Sequence, residues 1–261
     1  SGWQSVFLFG AGLSAFMIPL VFWKLPESID YILVRRPYNA LQRVNDLLEK
    51  MNHEPLSALP DSEIMPEKSA GVLSLWRPQH RNATILIWTG FFLVMASLYF
   101  VISWTPKLLV LAGQSENQGI SGGMLLQLGG IAGQFVLGFI SAHFLFKNLA
   151  VFYMSLSALL MALFALYSGN LQLASIIGFS VGFFLFGAIA CFYILGPALY
   201  PPEIRTTGMG WAIGVGRIGA ILAPAITGVL LDMGWQSASL YYVFALPMLI
   251  AMLAIVLIKT A

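Results

Sequence analysis

The sequence has little charge. Asp, Glu, Lys and Arg together make up 9% of its 261 residues, whereas 59% are hydrophobic. A water-soluble domain carries about 25% charged residues, so this composition excludes an ordinary soluble protein. The net charge is only +2 and no stretch interleaves basic with aromatic residues, so nothing indicates a surface that binds nucleic acid.

Cysteine and histidine are also scarce. The single cysteine, Cys191, excludes a disulfide within the chain, and the three histidines, His53, His80 and His143, lack the spacing of metal ligands. No nucleophile with a base, and no pair of carboxylates, falls in the middle of a hydrophobic run. We therefore predict no metal, no cofactor and no catalytic residues, and hence a protein that is not an enzyme.

Long hydrophobic runs are what the sequence has instead. A bilayer core roughly 30 Å thick needs about 20 apolar residues per spanning helix. Seven runs meet that length, at residues 3–23, 83–104, 118–143, 148–167, 171–198, 206–231 and 239–258. The sequence therefore predicts an all-α, polytopic membrane protein with about seven transmembrane helices.

The distribution of lysine and arginine predicts how these helices are oriented. The first connection, residues 24–82, contains eight Lys or Arg, and the same side receives Lys147, Arg205 and Lys259, whereas the opposite side has only Lys107. Loops rich in Lys and Arg stay in the cytoplasm. We therefore expect the long loop and the carboxyl terminus to be cytoplasmic.

The long loop has its own pattern. Two short amphipathic helices are predicted on either side of Pro37, and in the second an apolar stripe is formed by Leu41, Val44, Leu48 and Met51. We expect the stripe to pack on the cytoplasmic ends of the spans, with a helix lying on the membrane surface as the alternative. Residues 53–77 have no periodicity and are predicted to be a mobile linker.

Three stretches resemble a known family. They are LPES at residues 25–28, LYPPEIRTTGMGW at 199–211 and GVGRIGAILAP at 214–224. Together with the order of one span, a charged loop and six closely spaced spans, they resemble a major facilitator superfamily transporter of the aromatic acid:proton symporter branch. The resemblance implies that residues 1–23 are equivalent to helix six, residues 24–82 to the central cytoplasmic loop, and residues 83–261 to the carboxy-terminal six-helix bundle.

The resemblance also implies a function and partners. It implies part of a secondary active transporter in the cell inner membrane that takes up a small aromatic or related organic acid with protons. Its partners are then the organic anion, protons, the lipid bilayer and an amino-terminal six-helix half. Because the chain begins with Ser1 and not Met, we expect a break within a longer protein, or processing. Two alternatives are a facilitator for a sugar or dicarboxylate, and a membrane receptor or scaffold that transports nothing.

Arg217 is the exceptional residue of the spans. An arginine at the centre of a membrane helix costs roughly 2.5 to 3.5 kcal/mol on insertion scales, so its side chain must face something polar. Its planar guanidinium suits a carboxylate held by two hydrogen bonds. We predict that Arg217 binds the carboxylate of the substrate. A structural partner in the amino-terminal half and local packing are the alternatives.

Other polar residues of the spans are weaker candidates for substrate binding. Gln127 and Gln134 are seven residues apart and share one helix face, while Tyr99 and Tyr193 offer a ring and a hydroxyl, although ordinary packing explains either tyrosine alone. Trp88, Trp104 and Trp211 lie toward span ends and are predicted to be anchors at the membrane interface.

The resemblance further implies a cytoplasmic gating loop. The family has a Gly-x-x-x-Asp-Arg-x-Gly-Arg type loop after helix eight, whereas this chain reads GFISAHFLFKN at residues 138–148 and keeps only the basic Lys147. The candidates for the gate are Glu203, Arg205 and Lys147. The acid that such a loop normally contributes to the gate is absent here.

The topology is directly testable. Ser57 and Lys259 are expected to face the cytoplasm and Gly169 the opposite side. In a variant in which Cys191 is replaced by alanine, Gly169→Cys should react with a membrane-impermeant maleimide in intact cells, and Ser57→Cys only after permeabilisation. Labelling of position 57 from outside would reverse the predicted orientation.

Overall fold

The structure is a computed structural model that describes residues 4–27, 29–59 and 71–258; for Asp30, Val34, Arg35, Pro202 and Glu203 it describes the backbone only. Helices make up the secondary structure of the described residues, which confirms the all-α prediction. They are α1 (Gln4–Lys24), α2 (Ile29–Arg35), α3 (Ala40–Lys50), a 3-10 turn (Val72–Trp76), α4 (Pro78–Leu111), α5 (Glu116–Ile140), α6 (Phe146–Tyr167), α7 (Leu171–Ala198), α8 (Pro202–Asp232) and α9 (Ser237–Leu257).

Seven of the helices in the described part, α1 and α4 to α9, are long and apolar enough to cross a membrane, as the hydrophobic runs predict. Their ends differ from the prediction by several residues. The largest difference is in α4, which has 34 residues and begins at Pro78. Proline is favourable in the first turn of a helix because its missing N–H has no partner there anyway. Pro106 lies inside α4 and does not end it.

Local sequence signals fix several helix starts. Ser115 accepts a hydrogen bond from the Gln118 backbone N–H, and the Gln118 side chain accepts one from the Ser115 N–H, which is a capping box at the start of α5. The Asn170 side chain accepts hydrogen bonds from the next turn at the start of α7. These caps satisfy backbone groups that the helix itself leaves unpaired.

The chain divides into two compact units, residues 1–69 and 70–261. In the first unit α3 packs on α2, where Ile32, Ala40 and Val44 are buried. Of the predicted stripe of α3, Val44 is buried in this cluster and Leu48 packs against it, whereas Met51 is exposed. Glu27 of the LPES stretch pairs with Arg43 at 3.2 Å, with both side chains about half exposed. Such a surface pair contributes about 1 kcal/mol or less.

The predicted linker is only partly described, because residues 60–70 lie outside the described residues. Within residues 72–76 the prediction of a mobile linker was wrong. Val72–Trp76 is a 3-10 turn that belongs to the second unit, and Leu75 is fully buried there. One turn is too short to produce a helical period in the sequence, which is why the pattern missed it.

The second unit is a six-helix bundle. Helix α4 lies against α5, α8 and α9, while α7 packs on α5 and α6, and α6 packs on α9. Its core is mostly aliphatic, but the largest fully buried side chains include the aromatic residues Phe91, Phe100, Tyr153, Phe164 and Tyr241. Two pairs of polar groups join helices in this core: the Thr105 and Tyr241 hydroxyls lie 2.6 Å apart, and Ser97 donates to the Phe244 carbonyl at 2.8 Å.

Glycines bring α5 and α7 into backbone contact. A Cβ added at Gly133 would overlap the Phe183 carbonyl of α7, and one added at Gly182 would overlap the Leu126 carbonyl of α5. Helix association in a bilayer depends on close packing because lipid tails are as apolar as the side chains. The two glycines therefore set the distance between these helices.

Gly133→Ala should destabilise the protein by about 1 to 3 kcal/mol, because the new methyl group must push α7 away. Gly138→Ala in the same helix is the matched control, since nothing lies within 4 Å of its Cβ position; there the change should be neutral or slightly stabilising. Denaturation midpoints in mixed micelles measure both. Equal midpoints would contradict the backbone contact.

Candidate functional site

The contact between α4 and α8 determines where Arg217 lies. A Cβ added at Gly219 would overlap the Phe92 carbonyl, and one added at Gly216 would lie 3.1 Å from the Met95 side chain. Small residues on α8 thus let α4 approach closely on both sides of Arg217 along the chain. The arginine stands next to the helix contact and is not inside it.

Arg217 bonds to a neutral partner. Its Nη1 donates to the Tyr99 hydroxyl at 2.5 Å, and its guanidinium carbon lies 5.8 Å from the centre of the Tyr99 ring. The Arg217 side chain is exposed on the surface of the bundle. Among the described residues it forms no ion pair with a carboxylate. A guanidinium has five N–H donors, so most of its donors remain available to a ligand.

Gln127 lies at the contact between α4 and α5. It lines a cavity of about 280 Å³ with residues of both helices, among them Val101, Ile102, Pro106, Gly123 and Met124. Tyr99, Ile102 and Pro106 are spaced by three and four residues and therefore share one face of α4. Arg217 therefore contacts Tyr99, and Gln127 shares a cavity with the α4 residues that follow Tyr99 on its face. Substrate binding by these three residues stays a prediction.

The other two predicted binding residues lie farther from this group. Tyr193 of α7 is 39% exposed and meets the Phe91 ring edge-on at 5.4 Å, which is the ordinary packing that the sequence analysis kept as an alternative. Gln134 is exposed, two helical turns beyond Gln127 on the same face of α5. Substrate binding by Tyr193 and Gln134 stays a prediction.

Two of the predicted gating residues, Lys147 and Arg205, bind backbone carbonyls. Lys147 donates to the carbonyls of Val256 and Ile258 at 2.8 and 2.7 Å, so it caps the carboxyl end of α9. Arg205 donates through Nε to the Tyr200 carbonyl at 3.4 Å. The Glu203 side chain lies outside the described part. A gate formed by these three residues therefore stays a prediction.

The three tryptophans predicted as interfacial anchors, a role that stays a prediction, also make contacts between helices. Trp88 and Trp211 stack on each other with ring centres 6.0 Å apart, and Trp104 donates to the Pro224 carbonyl at 3.1 Å. Each of these contacts joins α4 to α8. A sequence shows that a tryptophan is near a span end, but the partner depends on how two distant helices are aligned.

Tyr200 is a residue whose role the sequence did not reveal. It is buried between α7 and α8, where its hydroxyl donates to Thr84 at 3.2 Å and Thr84 donates to the Leu75 carbonyl. Gly208 leaves room for its ring, since a Cβ there would lie 2.6 Å from it. Burial raises the pKa of the Tyr200 phenol above its ordinary value, so the hydroxyl stays a donor at neutral pH.

Comparison with known sequences identifies the class of protein. The family described as Major Facilitator Superfamily matches residues 1–212, which is most of the chain. The chain therefore belongs to the Major Facilitator Superfamily and is a multi-pass membrane protein of that type.

Similar individual proteins come from bacteria. Identity is 28% with a gallate transporter of Pseudomonas putida, with 97% of this chain and 57% of the relative aligned. It is 29% with the 3-(3-hydroxy-phenyl)propionate transporter of Escherichia coli (strain K12), with 99% and 56% aligned. It is 26% with a 4-hydroxybenzoate transporter of Pseudomonas aeruginosa, with 98% and 58% aligned. The chain spans just over half the length of these relatives.

Tyr200→Phe should lower the free energy of unfolding by about 0.5 to 1.5 kcal/mol, the usual net value of one hydrogen bond. Tyr242→Phe is the matched control, because Tyr242 is 41% exposed on α9 and loses little on the same change. Denaturation midpoints give the comparison. If the two variants are equally stable, Tyr200 does not hold the α7–α8 connection through Thr84.

Proposed function

We propose that this chain forms the carboxy-terminal half, with one preceding helix, of a secondary transporter that takes up a small aromatic or related organic acid with protons. The observation that carries the proposal is the environment of Arg217. It lies near the middle of a membrane-spanning helix, exposed at the bundle surface, and its partner is a neutral tyrosine.

The energetics of Arg217 favour a water-filled cavity with an anionic ligand. In contact with lipid at the centre of the bilayer an arginine costs roughly 2.5 to 3.5 kcal/mol or more, so an exposed Arg217 faces water or another polar surface. Its charge is permanent at physiological pH. Tyr99 orients one nitrogen and leaves the charge uncompensated, which supports binding of a carboxylate by two parallel hydrogen bonds.

The names of the relatives support the same substrate class. They describe transport of gallate, of 3-(3-hydroxy-phenyl)propionate and of 4-hydroxybenzoate, each an aromatic acid. A sugar has no charge for Arg217 to bind, and a dicarboxylate would leave its second charge to be matched elsewhere. A receptor or scaffold that transports nothing gives no reason for a cation at this depth.

Coupling requires more than this bundle. Facilitator transporters bind substrate between two bundles that rock around it, and we propose that an amino-terminal six-helix half supplies the second one. The only acids of α4 to α9 are Glu116, Glu203 and Asp232, which lie near helix ends. A proton carrier at mid-depth would therefore come from the other half.

We propose the bacterial inner membrane as the location, with the long loop and the carboxyl terminus in the cytoplasm. The support is the excess of Lys and Arg on that side. In this orientation the α7–α8 connection with Glu203 and Arg205, and the turn before Lys147, face the cytoplasm. They are then placed to contact the other bundle when the inner side closes.

The test is uptake of labelled aromatic acid by a transporter assembled from this chain and an amino-terminal half. Arg217→Ala should lower uptake at least about 100-fold with normal protein level, because hydrogen bonds to charged groups contribute about 1.5 to 3 kcal/mol each. Arg217→Lys should restore little, since lysine lacks the planar pair of donors. Arg81→Ala, an exposed residue at the start of α4, should stay within about twofold of the parent.

Two results would contradict the proposed role. Near-normal uptake by Arg217→Ala would show that the guanidinium does not bind substrate. If Arg217→Ala lost both its protein level in the membrane and its uptake, Arg217 would instead hold the bundle together.

A further inference from the structure

We propose that the cavity between α4 and α5 is the subsite for the aromatic ring, and that Gln127 determines specificity by hydrogen bonding to a substituent on the side of the ring away from the carboxylate. This inference rests on the proposed function. It adds a second recognition element to the carboxylate site at Arg217.

The first step is the position of the cavity relative to Arg217. The Tyr99 hydroxyl accepts from Arg217, and Ile102 and Pro106, which follow Tyr99 on the same face of α4, line the cavity. Three residues of helix rise about 4.5 Å, which is close to the length of a benzene ring. In the proposed pose, a ring whose carboxylate is bound to Arg217 extends along α4 toward Ile102, which lines the cavity together with Gln127.

The second step is the chemistry of the cavity wall. Ile102, Pro106 and Met124 present apolar surface, and a methionine adapts to a ring and makes favourable sulfur contacts with it. A Cβ added at Gly123 would lie 2.9 Å from the Pro106 ring, so the glycine keeps this wall closely packed. The volume of about 280 Å³ accommodates a single ring with small substituents.

The third step is Gln127 itself, a polar lining residue in this apolar wall. Its side chain is exposed near the middle of α5, and no hydrogen bond joins it to the rest of the described chain. An amide without partners in an apolar medium costs several kcal/mol, so it faces water or a ligand. The amide both donates and accepts and thus matches a phenolic hydroxyl, which does the same.

Together these steps define the preferred ligand. It is an acid with one aromatic ring whose hydroxyl is at the 3 or 4 position, where it reaches Gln127. A hydroxyl at the 2 position stays beside the carboxylate at Arg217 and gains nothing from Gln127. The position of the hydroxyl, and not its presence alone, therefore determines affinity.

The experiment measures binding to the transporter assembled from this chain and an amino-terminal half in lipid nanodiscs, by ligand-observed NMR with benzoate, 2-hydroxybenzoate and 4-hydroxybenzoate. The parent transporter should bind 4-hydroxybenzoate about threefold to tenfold more tightly than benzoate, because one net hydrogen bond contributes that much affinity. Its affinity for 2-hydroxybenzoate should equal its affinity for benzoate. Gln127→Leu keeps the size of the side chain but removes the amide. It should bind 4-hydroxybenzoate and benzoate with about equal affinity, and its affinity for benzoate should not change. Met124→Leu should change the affinities for all three acids by a similar factor and keep the preference for 4-hydroxybenzoate.

The outcomes separate this inference from the proposed function. If Gln127→Leu weakens the binding of benzoate and 4-hydroxybenzoate equally, or leaves the preference intact, Gln127 does not form a hydrogen bond with the ring substituent. The inference then fails, while the Arg217 site stands. If Arg217→Ala binds all three acids like the parent, the carboxylate site itself is wrong. If none of the acids binds the assembled transporter, neither Arg217 nor the α4–α5 cavity holds an aromatic acid, and both the proposed function and the inference are overturned.

Discussion

The close approach of helix backbones at glycine is the constraint on which the rest of the bundle depends. At Gly219 of α8 and Gly133 of α5 there is no room for even one methyl group beside the carbonyl of the neighbouring helix. Between apolar helices in a bilayer, such packing replaces the hydrophobic driving force that water would supply. If α4 and α8 moved apart by an ångström, the hydrogen bond between Arg217 and Tyr99 would be lost.

Polar and aromatic contacts then hold the same helix pair in register. Along α4 and α8, the Trp88–Trp211 stack comes first, the Arg217–Tyr99 hydrogen bond second, and the bond from Trp104 to the Pro224 carbonyl third. The contacts advance together along both chains, so these helices run parallel. The Trp88–Trp211 stack and the Trp104–Pro224 hydrogen bond therefore hold the helices on both sides of Arg217 without a ligand. A site that is preorganised in this way loses less entropy when it binds a ligand.

The sequence predicts what the bilayer imposes and not what depends on alignment between helices. The spans could be predicted because the thickness of the bilayer sets their length, and Arg217 because a charge at mid-span needs a reason. Its bond to Tyr99 could not, since residues 118 positions apart meet only when glycines set the register. For the same reason the bond from Trp104 to the Pro224 carbonyl and the capping of α9 by Lys147 could not be predicted from a local pattern in the sequence.

A neutral partner for Arg217 also supports the proposed selectivity of the site for anions. An internal carboxylate would orient the guanidinium equally well, but it would cancel the charge that attracts the ligand. Tyr99 orients it through one N–H and leaves the net charge unchanged, and Gln127 adds polarity without adding charge. The acids of the bundle lie near helix ends, so none competes at mid-depth. A neutral analogue that fills the same space would therefore lack the interaction that compensates Arg217.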